Sequence, residues 1–242
     1  GALSNASGIE SIAIGRSSNA TREGAMAFGK FAAATAHDSL AIGIASNATG
    51  LDSIALGTSA SASADRAIAL GLGANATGWN AFAGGYTANA LALNALALGA
   101  SSEAKGVTST ALGVQSHAIG NYSFAQGWFS NAGGDYSFAQ GYMANTTGHR
   151  TIAIGNISQT IGDQAIAIGS NSNASGENSI AIGNASQTTG HDAIAIGNGT
   201  TAGQQSMAMG INATANNISS IAFGRDASAT GPGSIAQGPD AT

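Results

Sequence analysis

Ser179-Ile180-Ala181-Ile182-Gly183 is the stretch whose reading decides the fold. Variants of it end at Gly15, Gly29, Gly43, Gly57, Gly71, Gly85, Gly99, Gly113, Gly127, Gly141, Gly155, Gly169, Gly183, Gly197, Gly210, Gly224 and Gly238, seventeen copies in all. Every step is fourteen residues except Gly197 to Gly210, which is thirteen. A strict period this short marks a solenoid, in which each repeat is one coil stacked on the next. Counted from the anchor Gly, position −2 is Ala in all seventeen copies, and position −3 is large and apolar in sixteen, with Thr110 the exception. Position −1 is apolar in thirteen copies and departs at Gly84, Gln126, Gln140 and Gln237. Large–small–large over three residues is strand alternation, with −3 and −1 on one face and −2 on the other.

A second alternating stretch follows each anchor. Position +3 is small (Ser18, Ala60, Ala88, Ser130, Thr200), and +5 is Ala or Thr (Ala20, Ala48, Ala76, Thr146, Thr188). Position +4 between them is often Asn, and +7 is frequently Gly, as at Gly50, Gly78, Gly106, Gly134, Gly176 and Gly190. Two short strands and two tight turns thus use all fourteen residues. The anchor Gly and the +7 Gly are the natural places for positive φ at the turns. The missing residue of the short repeat falls between Gly197 and Gly203. Stacked coils place like strands side by side, about 4.8 Å apart, so the whole chain makes a rod on the order of 80 Å long.

The columns predict how such a coil packs. Ala at −2 and small residues at +3 and +5 face each other inside it, which forces the two sheets close together. The large residues at −3 and −1 then point outward and form an apolar stripe, larger than a soluble monomer tolerates. Each such side chain gains roughly 1.5–3 kcal/mol on burial. Identical chains around a common axis satisfy the stripe, and a homotrimer is the expectation. Phe82, Phe124 and Phe138 at −3 stand beside Gly84, Gln126 and Gln140 at −1, a large group next to a smaller or polar one.

Composition narrows the function. Gly is 36 of 242 residues and charged residues are 8 %, yet 43 % hydrophobic residues in fixed columns argue against disorder. A net charge of −5, with only seven Lys and Arg, disfavours nucleic acid as a partner. There is no run of eighteen apolar residues and no visible signal peptide, so this segment is expected to make no membrane contact. The absence of cysteine fits an exported surface protein, and fits an intracellular one nearly as well. The chain opens at Gly1 and stops at Thr242 within the pattern, so 1–242 reads as a single repetitive domain cut from a longer protein.

Nine of the twelve acids lie at −6 or −5, which marks those positions as an exposed turn. His37, His149 and His191 share that turn, and no constellation of catalytic, metal-binding or cofactor-binding residues converges anywhere. The Asn-x-Ser/Thr triplets, such as Asn47-Ala48-Thr49, are generated by the repeat itself. One feature breaks the monotony. Seven of thirteen aromatics fall between Tyr122 and Tyr142. Phe124 and Phe138 belong to the −3 column. The candidate ligand-binding residues are Tyr122 and Tyr136 at −5, Trp128 and Tyr142 at +1 with Phe129 beside them, and Tyr86 in the same +1 column earlier in the chain.

Ser-Ile-Ala-Ile-Gly followed by small-x-Ala-x-Gly at this period resembles the YadA-like head of trimeric autotransporter adhesins, and the resemblance covers nearly the whole chain. It implies an all-β, left-handed parallel β-roll, trimeric, carried on a coiled-coil stalk and a β-barrel anchor that this chain lacks. The implied function is adhesion, not catalysis: attachment of a bacterial cell surface, outside the outer membrane, to host extracellular matrix, cells or abiotic surfaces. Multivalent contact along the repeats would supply the affinity. A phage tail-fibre segment that binds a receptor is the alternative, since the repeat is similar to segments of such fibres. An ice-binding solenoid fits less well, because the Thr column at +6 is broken by Leu91, Lys105 and Ile119.

The opposite roles of neighbouring columns are testable. Ile180→Asp should abolish assembly in sedimentation while far-UV circular dichroism stays close to wild type. Loss of the β signal with assembly retained would reverse the assignment of faces.

Overall fold

A computed structural model describes all 242 residues. It contains no helix, and its 34 strands alternate between two kinds. One kind has three residues, as in Ile180–Ile182, and the other has two, as in Gln187–Thr188. Together they form a parallel β-solenoid of seventeen fourteen-residue coils, one of them a residue short. The chain divides into two compact units, Gly1–Tyr122 and Ser123–Thr242, and each is built from the same coil.

Within each unit, successive coils pair in parallel and without slippage. In the first, Ile54 faces Ile68, which faces Phe82. In the second, Ile166 faces Ile180, which faces Ile194. The two-residue strands do the same, as Asn75 with Asn89 and Asn131 with Asn145. Like therefore stacks on like, because the repeat length equals one circuit of the coil. Backbone donors and acceptors pair between coils, as buried backbone groups require.

That interior is thin. Ser179, Ala181, Ser186 and Thr188 point into one coil and are fully buried. No fully buried side chain in the molecule is larger than threonine. Four inward positions line each coil: −4, −2, +3 and +5. The alternation identifies three of them from the sequence, and −4 is the fourth. The buried hydroxyls work locally. Ser179 Oγ donates to the Gly176 carbonyl at 2.7 Å and Ser186 Oγ to the Gly183 carbonyl at 3.1 Å, one across each turn. Thr188 Oγ1 donates to Ser179 Oγ at 2.9 Å and ties the two strands together. The bond at −4 is optional: Ala25, Ala67 and Ala193 occupy that position, and the buried Ser53 and Ser109 hydroxyls have no partner.

The turns correct one expectation. The anchor does have positive φ, +133° at Gly183, and a Cβ there would lie 2.1 Å from the Gly197 carbonyl oxygen of the next coil. The +7 glycines do not have positive φ. At Gly176 the constraint is close approach, since a Cβ would meet the Gly190 oxygen at 1.8 Å. Ala36, Ala64 and Ala92 hold the same position elsewhere, so glycine is preferred there and not required. The left-handed residues are at +2 and −5, and 31 residues that are not glycine adopt this conformation. Ala185 (φ 53°) and Asn178 (φ 55°) show why it is tolerated. Their N–H groups donate to Ser170 and Asp163 carbonyls of the preceding coil at 2.8 and 2.9 Å. Those bonds offset a left-handed cost of about 1–2 kcal/mol per residue.

The short coil keeps its anchor turn, with Gly199 at φ 67°, and its strand Thr201–Ala202. The missing residue lies after that strand. Gly203 does the work of two positions: its N–H donates to the Ala215 carbonyl, and its own carbonyl accepts from Ser206 Oγ, both at 2.8 Å. The deletion is therefore at the corner before Gln204 and does not fall between Gly197 and Gly203.

The packing predicts a size limit at −2. Ala181→Leu should lower stability by about 1–3 kcal/mol through overpacking, whereas Ala181→Ser should lose much less. Denaturant midpoints measured by circular dichroism check both.

Candidate functional site

The coil presents four surfaces, and parallel register stacks each column on itself from coil to coil within a unit. The three-residue strands form an apolar face, on which no charge stands at −3 or −1 in any coil. In the second unit, Ile152, Ile166, Ile180 and Ile194 are consecutive members of one ladder. Their neighbours in the stack leave them half-buried. The two-residue strands form a polar face. Asn131 Nδ2 donates to Asn145 Oδ1 at 2.7 Å, and Asn5 Nδ2 to Asn19 Oδ1 at 2.9 Å. In the first unit this face also holds Lys105, 3.0 Å from Glu103.

The two turns form the edges, and they differ sharply in charge. The −6/−5 edge carries Asp135, His149, Arg150, Asp163, Glu177, His191 and Asp192 in the second unit. His149 donates its backbone N–H to Asp163 Oδ1 at 2.8 Å, and His191 Nδ1 lies 3.6 Å from Glu177 Oε2. Such exposed pairs contribute little to stability. No group of three His, Cys, Asp or Glu side chains comes together to hold a metal. The anchor-turn edge carries no charge from Trp128 through Asn212 at +1 or +2.

The aromatic candidates divide between these edges. Trp128, Phe129 and Tyr142 are brought together on the neutral one. The Trp128 ring stacks on Phe129, with centroids 5.3 Å apart, and meets Tyr142 edge-on at 5.7 Å. They remain 54, 41 and 44 % exposed. Register explains the contact: Trp128 and Tyr142 are both +1, one coil apart. Tyr136 is exposed on the opposite, charged edge of the same unit. Tyr86, on the anchor-turn edge, and Tyr122, on the −6/−5 edge, belong to the first unit and are also exposed. Nearness along the chain grouped residues that the two turns separate.

Two members of the neutral patch escape a search for aromatics alone. Met143 and Ile157 follow Phe129 in the +2 column and are exposed. Their N–H groups donate to the Trp128 and Tyr142 carbonyls at 2.9 and 2.8 Å, which locks each turn to the one before. Exposed apolar residues at fourteen-residue spacing in one turn column are the signal that finds them. The surface carries no pocket, so the candidate residues form a ridge and line no cavity.

The apolar face has its own irregularities. Phe124 and Phe138 stack at 5.0 Å with planes 6° apart. Gln140 Nε2 donates to Gln126 Oε1 at 3.4 Å beside them. At Gly84 a Cβ would lie 3.0 Å from the Phe82 ring and 2.7 Å from a Leu98 methyl. The ring therefore takes the space that a −1 side chain fills elsewhere, as the large-beside-small pattern anticipates.

The family model described as the YadA head domain repeat matches residues 6–32, 34–60, 48–74, 62–86, 104–130, 132–158, 161–186, 174–200, 189–205 and 202–227. No curated protein matches the chain. Among solved structures, the chain is similar to one titled the crystal structure of the collagen-binding domain of Yersinia adhesin YadA. The two are 25 % identical, the match covers 78 % of this chain and 68 % of that one, and the TM-score is 0.32.

Proposed function

Because the chain belongs to the YadA head domain repeat family, a family of adhesin type, we propose that it is the head of a trimeric autotransporter adhesin. In this reading it stands on a bacterial cell surface, outside the outer membrane. Three copies pack their apolar faces inward and attach the cell to host matrix proteins, to host cells or to abiotic surfaces.

The observation that carries the assembly is the apolar face. Its −3 and −1 columns carry no charge in any of seventeen coils. Stacking within one chain leaves Ile180 and Ile182 only half-buried. Completing that burial contributes the remaining part of the roughly 1.5–3 kcal/mol that full burial of such a side chain is worth, repeated coil after coil. An uncharged stripe of this kind is self-complementary, so further copies of the same chain are the natural cover. A trimer leaves the polar face and the turn edges outward.

Attachment is assigned to the edges. Trp128, Phe129 and Tyr142, extended by Met143 and Ile157, have the composition of an interaction hot spot: large, rigid and already packed against each other. Three symmetry-related ridges per trimer, and many trimers per cell, convert a shallow contact into firm attachment through effective concentration.

Two measurements test this. Sedimentation should give three times the chain mass, and a monomer would overturn the assembly. Trp128→Ala with Tyr142→Ala, on a trimer of unchanged mass and circular dichroism, should weaken adhesion at least tenfold on some member of a panel. That panel comprises collagen, fibronectin, epithelial cells and polystyrene. Undiminished adhesion to every one of them removes the aromatic ridge from the mechanism.

A further inference from the structure

We infer that Gln126 and Gln140 form a matching layer through which copies of this chain recognise one another at one height of the apolar face. The inference rests on the trimer proposed above and adds what makes the copies select their own kind.

The −1 column of the second unit reads Gln126, Gln140, Ile154, Ile168, Ile182, Ile196, Met209, Phe223 and Gln237. The first two are amides at consecutive coils, and apart from Gln237 at the last coil the −3 and −1 positions of this unit are apolar. They lie next to the stacked Phe124 and Phe138 rings, which are 5.0 Å apart. Both glutamine side chains are exposed on the single chain. Each carboxamide offers two N–H donors and an acceptor oxygen. One bond of 3.4 Å, from Gln140 Nε2 to Gln126 Oε1, is the contact between them. It runs along the stack and leaves the remaining donors and the Gln140 oxygen without a partner in the chain.

Covering this face removes those groups from water. A buried amide without a partner is costly, and one with a partner is not. The neighbouring −1 side chains are isoleucines, which offer nothing. The group that fits is another carboxamide at the same height, supplied by another copy. Around a threefold axis each glutamine can donate to the next, closing a ring in each of the two layers. A chain with an apolar residue at these heights breaks both rings and strands a donor and an acceptor in each. A copy displaced by one coil keeps only one amide match, Gln126 with Gln140, and sets the other Gln140 against Ile154. Isolated polar residues in apolar interfaces are known to specify partner and alignment in this way, at some cost in stability.

The test compares wild type with Gln126→Met/Gln140→Met, which keeps side-chain length and flexibility and removes only the amides. Each chain is first weighed alone by native mass spectrometry. A monomeric mass for both overturns the trimer itself and is read before any mixing. The two chains, distinguished by tag mass, are then co-expressed in equal amounts. Mixed trimers should be at least tenfold below their statistical share, with each chain assembling with its own kind. Statistical mixing, with both chains assembled, overturns the matching layer and leaves the trimer standing.

Discussion

The width of the coil interior governs everything else. Its four inward positions admit Ala, Ser and Thr, and nothing larger than threonine is fully buried. A layer that thin removes little apolar surface from water. Cohesion comes instead from the backbone ladders between coils and from hydroxyls that brace the turns, as Ser179 and Ser186 do. Stability of this kind is passed from neighbour to neighbour and grows by addition of coils. The same limit expels every large apolar residue to the outside. Ile180 and Ile182 are not surface accidents: a coil closed on Ala181 has no room for them.

Exclusion of bulk from the interior sorts chemistry by column. Positions −3 and −1 give the apolar face, +4 and +6 the polar face, and the two turns give edges. Eleven of the nineteen charged residues lie at −6 or −5, and none stands at −3 or −1 on the apolar face or at +1 or +2 from Trp128 through Asn212. Parallel register maintains this separation over successive coils, because each position stacks on itself. Stacked like charges repel, and the −6 column of the second unit relieves this by interspersing His149 and His191 among Asp135, Asp163 and Glu177.

Much of this was legible before any coordinates. Invariant Ala at −2 flanked by large residues fixes which side of the strand faces inward, and seventeen repetitions make accident untenable. The turns were less legible, because glycine signals two different things. At Gly183 it marks a backbone angle; at Gly176 it marks a carbonyl too close for a Cβ. Conversely, Met143 and Ile157 adopt left-handed angles of 52° and 55° that their side chains disfavour, because bonds to the preceding coil impose them. No local propensity announces that. The aromatic candidates show the same lesson at larger scale. Eight residues of sequence separate Trp128 from Tyr136 and place them on opposite edges, while fourteen separate Trp128 from Tyr142 and bring their rings together.

A fold closed by so few inward positions leaves the others free to vary. Along the neutral edge of the second unit the +1 column runs from Trp128 and Tyr142 to Asn156, Ser170 and Asn184 with no change in the strand that follows. Edge residues can therefore be exchanged coil by coil without reopening the interior, and a binding ridge can be written where three or four coils agree. In the proposed trimer the apolar face is less free, because there it fits copies of itself, and a change at Gln126 or Gln140 is felt by every chain at once. In the proposed reading, contact with other surfaces and contact with its own kind fall to different columns of one repeat, and the narrow interior is what keeps those columns apart.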